Sequence, residues 1–217
     1  AVFRLVAGDL QGAEDDFRDL WARQARIQGP DHPVTVRVMN SLASVLRQQE
    51  KWMEAESVLR EVLRITEESP EPNPTDLATT LANLGDAVSW RGGFQEADSL
   101  IRQALRLQTD VLGPDHLDVA NSQVFMSNLY ERSDDVEEAV RWREEAAGTF
   151  ARVLGAGHEA PLTQRVEHGR LLAAAGRWDE ARAVLEEVEE AAAESLGAVH
   201  PLVSRAREEL ARTGADS

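Results

Sequence analysis

The 217-residue sequence predicts an all-α fold, a right-handed superhelical solenoid of stacked antiparallel helix pairs. Three observations predict it. Ala13, Ala55, Ala97, Ala139 and Ala181 recur 42 residues apart each time. The apolar residues between these marks follow a helical period, as in Ala55, Val58, Leu59, Val62, Leu63 and Ile65. No segment alternates apolar and polar residues long enough to read as a strand, and β-branched residues are scattered.

Further columns keep the same register without a gap. Three residues before each alanine stands Leu10, Trp52, Phe94, Val136 or Trp178. His32, His116, His158 and His200 fall on the grid, with Pro74 as the exception, and Gly29, Gly113, Gly155 and Gly197 do the same, with Glu71 as the exception. Such periodicity marks a repeat array in which each unit buries its apolar stripe only against its neighbours. In the first helix of a unit, Met39, Leu42, Ala43 and Leu46 correspond to Leu81, Leu84, Gly85 and Val88. The second helix carries the alanine stripe, repeated as Ala97, Leu100, Ile101, Ala104, Leu105 and Leu107. Ala43, Gly85, Ser127 and Gly169 form a small-residue column twelve positions before the alanines, so the two helices of a unit can approach closely. Polar or glycine residues at 48–51, 91–93, 133–135 and 176–177 make the turns between them.

This order of small and apolar residues resembles the tetratricopeptide repeat. The stretches NSLASVLRQQEKWMEAESVLREVLRI (40–65) and ANLGDAVSWRGGFQEADSLIRQALRL (82–107) are similar to its long variant, found in kinesin light chains and many bacterial signalling proteins. LGPDH (112–116) matches the joint of that variant. The repeats are then 33–74, 75–116, 117–158 and 159–200, preceded by a partial repeat (1–32) and followed by a capping helix (201–213) and a tail (214–217). Ala1 falls in the small-residue column, which predicts a piece of a longer chain with more sequence before it.

Composition narrows the functions. Cysteine is absent, which excludes disulfides, thiolate chemistry and cysteine-based zinc sites. The formal charge of −16 repels phosphates and anionic lipid, so neither nucleic acid nor membrane is an expected partner. Residues 1–20 mix charges through the apolar positions, unlike a signal peptide, and a cytoplasmic location is expected.

The loops GPDHPVT (29–35), GPDHLDV (113–119), GAGHEAP (155–161) and GAVHPLV (197–203) hold four of the five histidines and invite a metal reading. Packed helices lie about 8–10 Å apart, whereas zinc ligands converge to about 2 Å from one point. One histidine per repeat does not converge, and no catalytic motif or phosphate loop accompanies them, so no enzyme activity, metal or cofactor is expected. The loop reads instead as helix stop, joint and helix start: glycine closes one helix in a left-handed conformation, aspartate caps the next, and proline opens its first turn. SPEPNP (69–74) does the same with prolines and Asn73. The fifth histidine, His168, stands in the core column of Leu42, Leu84 and Met126, where a buried histidine with a local hydrogen-bond partner is expected.

In stacked helix pairs the first helices line the concave side. Removing the packed columns leaves Arg37, Asn40, Ser44, Arg47, Asn83, Asp86, Trp90, Asn121, Phe125, Asn128 and Arg132 as candidate peptide-binding residues. Asparagine amides donate and accept together, which suits a peptide backbone. The resemblance to kinesin-light-chain repeats implies the same use. Arg37, Arg47 and Arg132 suit carboxylates, and Trp90 and Phe125 suit apolar anchors. The last pair lacks the asparagines. The leading expectation is therefore a protein–protein interaction module holding a peptide or protein segment. The alternative is a structural or oligomerisation arm of a larger signalling protein, including self-association through the partial first repeat.

Overall fold

The computed structural model describes residues 8–215, with side chains described up to Thr213. The expected place of Ala1 in the small-residue column lies outside the described residues. Ten helices and no strand occur among the described residues. They divide into two compact units, Ala1–Val111 and Leu112–Ser217. The first holds α1 (Leu10–Gln28), then the pair α2 (Pro33–Gln48) and α3 (Trp52–Glu68), then the pair α4 (Pro74–Trp90) and α5 (Phe94–Leu112). The second holds the pair α6 (Leu117–Arg132) and α7 (Val136–Leu154), the pair α8 (Glu159–Ala174) and α9 (Trp178–Ser195), and α10 (Pro201–Ala215).

The two helices of a pair meet where the small column faces the alanine column. A Cβ added to Gly85 would lie 2.5 Å from Cγ1 of Ile101, and one added to Gly169 would lie 2.6 Å from Cγ of Leu185. Ser127 fills the same place in α6 and donates from Oγ to the carbonyl of Ala139 at 2.8 Å. Around these contacts the stripes read from sequence are buried: Met39, Leu42, Leu46 and Leu59 in the first unit, Met126, Leu171, Leu172 and Leu185 in the second. In the first unit Ala13 and Phe17 of α1 pack into one cluster with Leu42, Val45, Leu46 and Ala55. In the second, Leu202, Val203 and Ala206 of α10 cover Leu162, Val166, Leu185 and Val188. The terminal helices thus close stripes that would otherwise face water.

The joints are built differently from the sequence expectation. Histidine, not aspartate, caps the following helix. Nδ1 of His32 accepts from the amide of Val34 at 3.2 Å, and Nδ1 of His116, His158 and His200 accepts likewise from Asp118, Ala160 and Leu202. Asp115 turns away to Arg152, with Nε donating to Oδ1 at 2.6 Å. In the SPEPNP joint Asn73 takes over, its Oδ1 accepting from the amides of Thr75 and Asp76. Asn73 sits one position before the histidine column, and α4 accordingly begins at Pro74, one residue early on the grid. The joint glycines do have positive φ, but Gly29 (φ 101°, ψ 158°) and Gly155 (φ 90°, ψ 143°) are extended in ψ rather than left-handed helical. This backbone region is reserved for glycine.

The turns within pairs share one conformation. Glu50, Gly92, Asp134 and Gly176 occupy the same column, with φ of 60°, 80°, 61° and 75°. A Cβ there costs about 1–2 kcal/mol. Glu50→Gly should therefore stabilise the chain by about 1 kcal/mol, after the entropy that glycine adds to the unfolded state is subtracted. A chemical denaturation midpoint that stays put or falls would contradict this account of the turn.

Candidate functional site

In the first unit the structure gathers three of the candidate residues into one cluster. Arg47 of α2 reaches across to α4, where it forms an ion pair with Asp86 and donates from Nη1 to Oδ1 of Asn83 at 2.6 Å. Both Arg47 and Asp86 are largely withdrawn from solvent, with side chains 14% and 5% exposed. The reading of Arg47 as a receptor for a partner's carboxylate thus meets a carboxylate already in place. Asn40 donates from Nδ2 to Oγ1 of Thr80 at 3.2 Å. Trp90 stacks on Trp52 of α3, with centroids 4.3 Å apart and planes 12° from parallel, and stays 46% exposed. Arg37 is exposed and Ser44 half-buried.

In the second unit Asn121 is exposed, and Phe125, Asn128 and Arg132 are half-buried. Asn128 is held from below by a residue that the sequence reading omits. Arg143 of α7 is 4% exposed. Its Nη2 donates to Oδ1 of Asn128, its Nε to Oγ of Ser127 at 3.1 Å, and its Nη1 to Oε1 of Gln164 in α8 at 2.7 Å. Arg143 occupies the column of Phe17, Leu59, Ile101 and Leu185, so a basic residue breaking an apolar column was the available signal. Burial pushes its guanidinium down to about 10, with Glu131 opposing and Arg170 and Arg132 adding to the shift. It remains a cation at neutral pH. Beside it, Nη2 of Arg170 in α8 donates to Glu131 of α6 at 2.8 Å, and Nε donates to Glu167 at 2.8 Å.

A second polar ladder runs along the second helices. Glu14 of α1 accepts from Lys51 and from Arg18, each at 2.7 Å. Burial disfavours its charge, but the hydrogen bonds from Lys51 and Arg18 outweigh burial and hold the carboxyl below its usual range. Glu56 of α3 is held likewise, against burial, by Arg91 and Arg60. These two acids directly follow repeat alanines, and within the first unit each reaches the turn of the following repeat.

Among the described residues no group of three histidine or acidic side chains could hold a metal ion, and no helix is long and apolar enough to cross a membrane. The arrangement of stacked helix pairs, small-residue contacts and a polar face on the first helices defines a helical-repeat protein of the solenoid class. The tetratricopeptide repeat family profile matches residues 1–68 and 76–151, more than half of the chain, and a second tetratricopeptide repeat profile matches 169–202. The chain belongs to the tetratricopeptide repeat family. A kinesin light chain-type protein of Podosopora anserina with nearly identical TPR-like repeats is similar over 89% of this chain and 91% of its own, at 25% identity and a TM-score of 0.70. BtubC (BKLC) from P. vanneervenii is similar over 99% of this chain and 84% of its own, at 19% identity and a TM-score of 0.72. A Rap protein complexed with Competence and Sporulation Factor shares the fold over 98% of this chain and 62% of its own, at 11% identity and a TM-score of 0.75. No curated protein matches the sequence.

His168 is buried as expected, but the expected hydrogen bond is not made by Nε2, which is enclosed without a partner among the described residues. Burial lowers its pKa below the ordinary 6.5; Glu144 opposes the shift and Arg177 and Arg165 reinforce it. The unfolded chain therefore binds a proton that the folded chain resists. Stability from this site is complete above about pH 6.5 and is lost as pH falls toward the folded value. His168→Leu restores the residue type of its column. It should stabilise the fold by about 1–3 kcal/mol, the cost of an unsatisfied buried polar group. The gain should be larger at pH 5.5 than at pH 7.5, as read from urea midpoints of both proteins; an equal gain at the two pH values would contradict it.

Proposed function

We propose that this chain is a non-enzymatic interaction module that holds a peptide or protein segment against the polar face of its first helices. The observation that carries the reading is the fixed orientation of two asparagines. Arginine has only donors, so Arg47 and Arg143 compel Asn83 and Asn128 to present Oδ1 inward. Each amide Nδ2 is then left to donate, without a partner among the described residues. A peptide in extended form offers carbonyls that such donors can engage. Holding the amides in place beforehand lowers the entropy cost of binding.

The exposed Arg37 and Asn121 and the half-exposed Trp90 extend this face in the two units. Likeness of fold to the Rap protein complexed with Competence and Sporulation Factor fits a role in holding another molecule.

Arg37→Ala and Asn121→Ala remove exposed side chains that make no hydrogen bond or ion pair among the described residues. A peptide selected from a random dodecamer display library on the full chain should bind each variant at least tenfold more weakly, about 1.4 kcal/mol, with an unchanged melting temperature. Full affinity in both variants would sink the reading.

A further inference from the structure

The joint between α3 and α4 lacks the glycine and the histidine of the other joints, and a cavity of about 50 Å³ opens beside it in the first unit. Part of its wall is apolar, formed by Pro33 and Val36 of α2, Ile65 of α3 and Pro72 of the joint. Three acids share the wall, Asp31, Glu71 and Asp76, and no basic side chain does. Their carboxylates make no hydrogen bond or ion pair among the described residues. Arg64 acts on Asp31 through space, but its own hydrogen bonds go to Glu61 and Glu68.

Two further features give the cavity the same sign. Thr66 lines it and is only 6% exposed. The hydroxyl proton of Thr66 is spent on the Val62 carbonyl at 2.8 Å, which leaves the oxygen its lone pairs alone. Next to it α3 ends open. At α1, α7 and α9 the residue after the helix returns its N–H to a carbonyl of the last turn. α3 shows no such bond among the described residues: Ser69 is extended, at φ −64° and ψ 135°, and Pro70 has no N–H to give. The negative end of the helix dipole thus faces the cavity uncapped. The starts of α2 and α4 are, by contrast, already capped by His32 and Asn73. Thr66 also stands where the next two repeats carry Gln108 and Phe150, so volume that a longer side chain would take up is left open here.

The geometry points to a binding site for a primary alkylammonium group, carried by a lysine side chain of another protein or by a free aliphatic amine. The ammonium head meets the carboxylates and the Thr66 oxygen, and the methylenes behind it lie on the apolar wall. Lysine divides its character in the same way, with an apolar stem and a charged tip. One water occupies about 10–15 Å³ on this measure, so the cavity holds on the order of four heavy atoms, the head and the methylenes next to it. The compact ammonium directs three donors to acceptors placed around it, whereas a guanidinium spreads its donors in one plane. The site lies at a joint and stands apart from the polar face of the first helices, so it does not rest on that face binding a segment.

The test titrates the ¹⁵N-labelled full chain at low ionic strength, where charge pairing is least screened. The probes are a lysine derivative blocked at both backbone ends, its norleucine and arginine counterparts, and n-butylamine. The lysine derivative should saturate, with a Kd of the order of 1 mM, and shift the amides of Ser69, Glu71 and Asn73 above all others. The norleucine form, with the same stem and no charge, should bind at least tenfold more weakly, and the arginine form at least fivefold. Asp31→Asn combined with Glu71→Gln changes two exposed acids and should weaken binding at least fivefold. Thr66→Gln brings in the side chain of the next repeat and should abolish binding with the melting temperature unchanged. Butylamine weaker than the lysine derivative makes the occupant a side chain of a protein; butylamine tighter makes it a free amine. Shifts scattered over the acidic surface, equal binding of the norleucine or arginine form, or binding that survives both variants overturns the site.

Discussion

The close approach of the two helices in each pair is the constraint from which the rest follows. Gly85 and Gly169 leave no room for a methyl group against Ile101 and Leu185, and Ser127 in the same column donates to the Ala139 carbonyl. With the helices fixed at that distance, apolar residues on both sides fall into register and repeat every 42 positions. The polar residues of the first helices are then the ones left over, confined to one face by exclusion from the contact. A larger residue in the small column would push the helices apart and disturb packing on both sides of the pair.

That polar face is not an idle solvated surface. Arg47, Asp86 and Asn83 link α2 to α4, while Arg170 and Glu131 link α8 to α6. The Arg47–Asp86 pair is the one withdrawn from water; such a buried pair adds little net stability but fixes geometry, because removing one member leaves the other without compensation. These links order part of the polar side chains on that face.

The sequence made the helices, their pairing and the core legible because those depend on spacing, and spacing survives in every unit. It made the candidate face legible by subtraction. It was less informative wherever one atom decides. The cap fell to histidine rather than aspartate, although GAGHEAP and GAVHPLV contain no aspartate and already pointed that way. Whether Asp86 faces a partner or Arg47 depends on the offset between neighbouring helices, which periodicity alone does not give. His168 showed its burial through its column but not the lack of a partner. Arg143 stood out in its column as well, but the neutral oxygens that accept its hydrogen bonds could not be read from spacing.

The charged links on the first helices occupy the same two columns but with opposite polarity. Arg47 meets Asp86 in the first unit, whereas Glu131 meets Arg170 in the second. A helix pair moved from one place to the other would set arginine against arginine, or glutamate against aspartate. The repeats look interchangeable in their apolar columns, yet each carries an address. A chain misaligned by two repeats would therefore set like charges against each other in these columns.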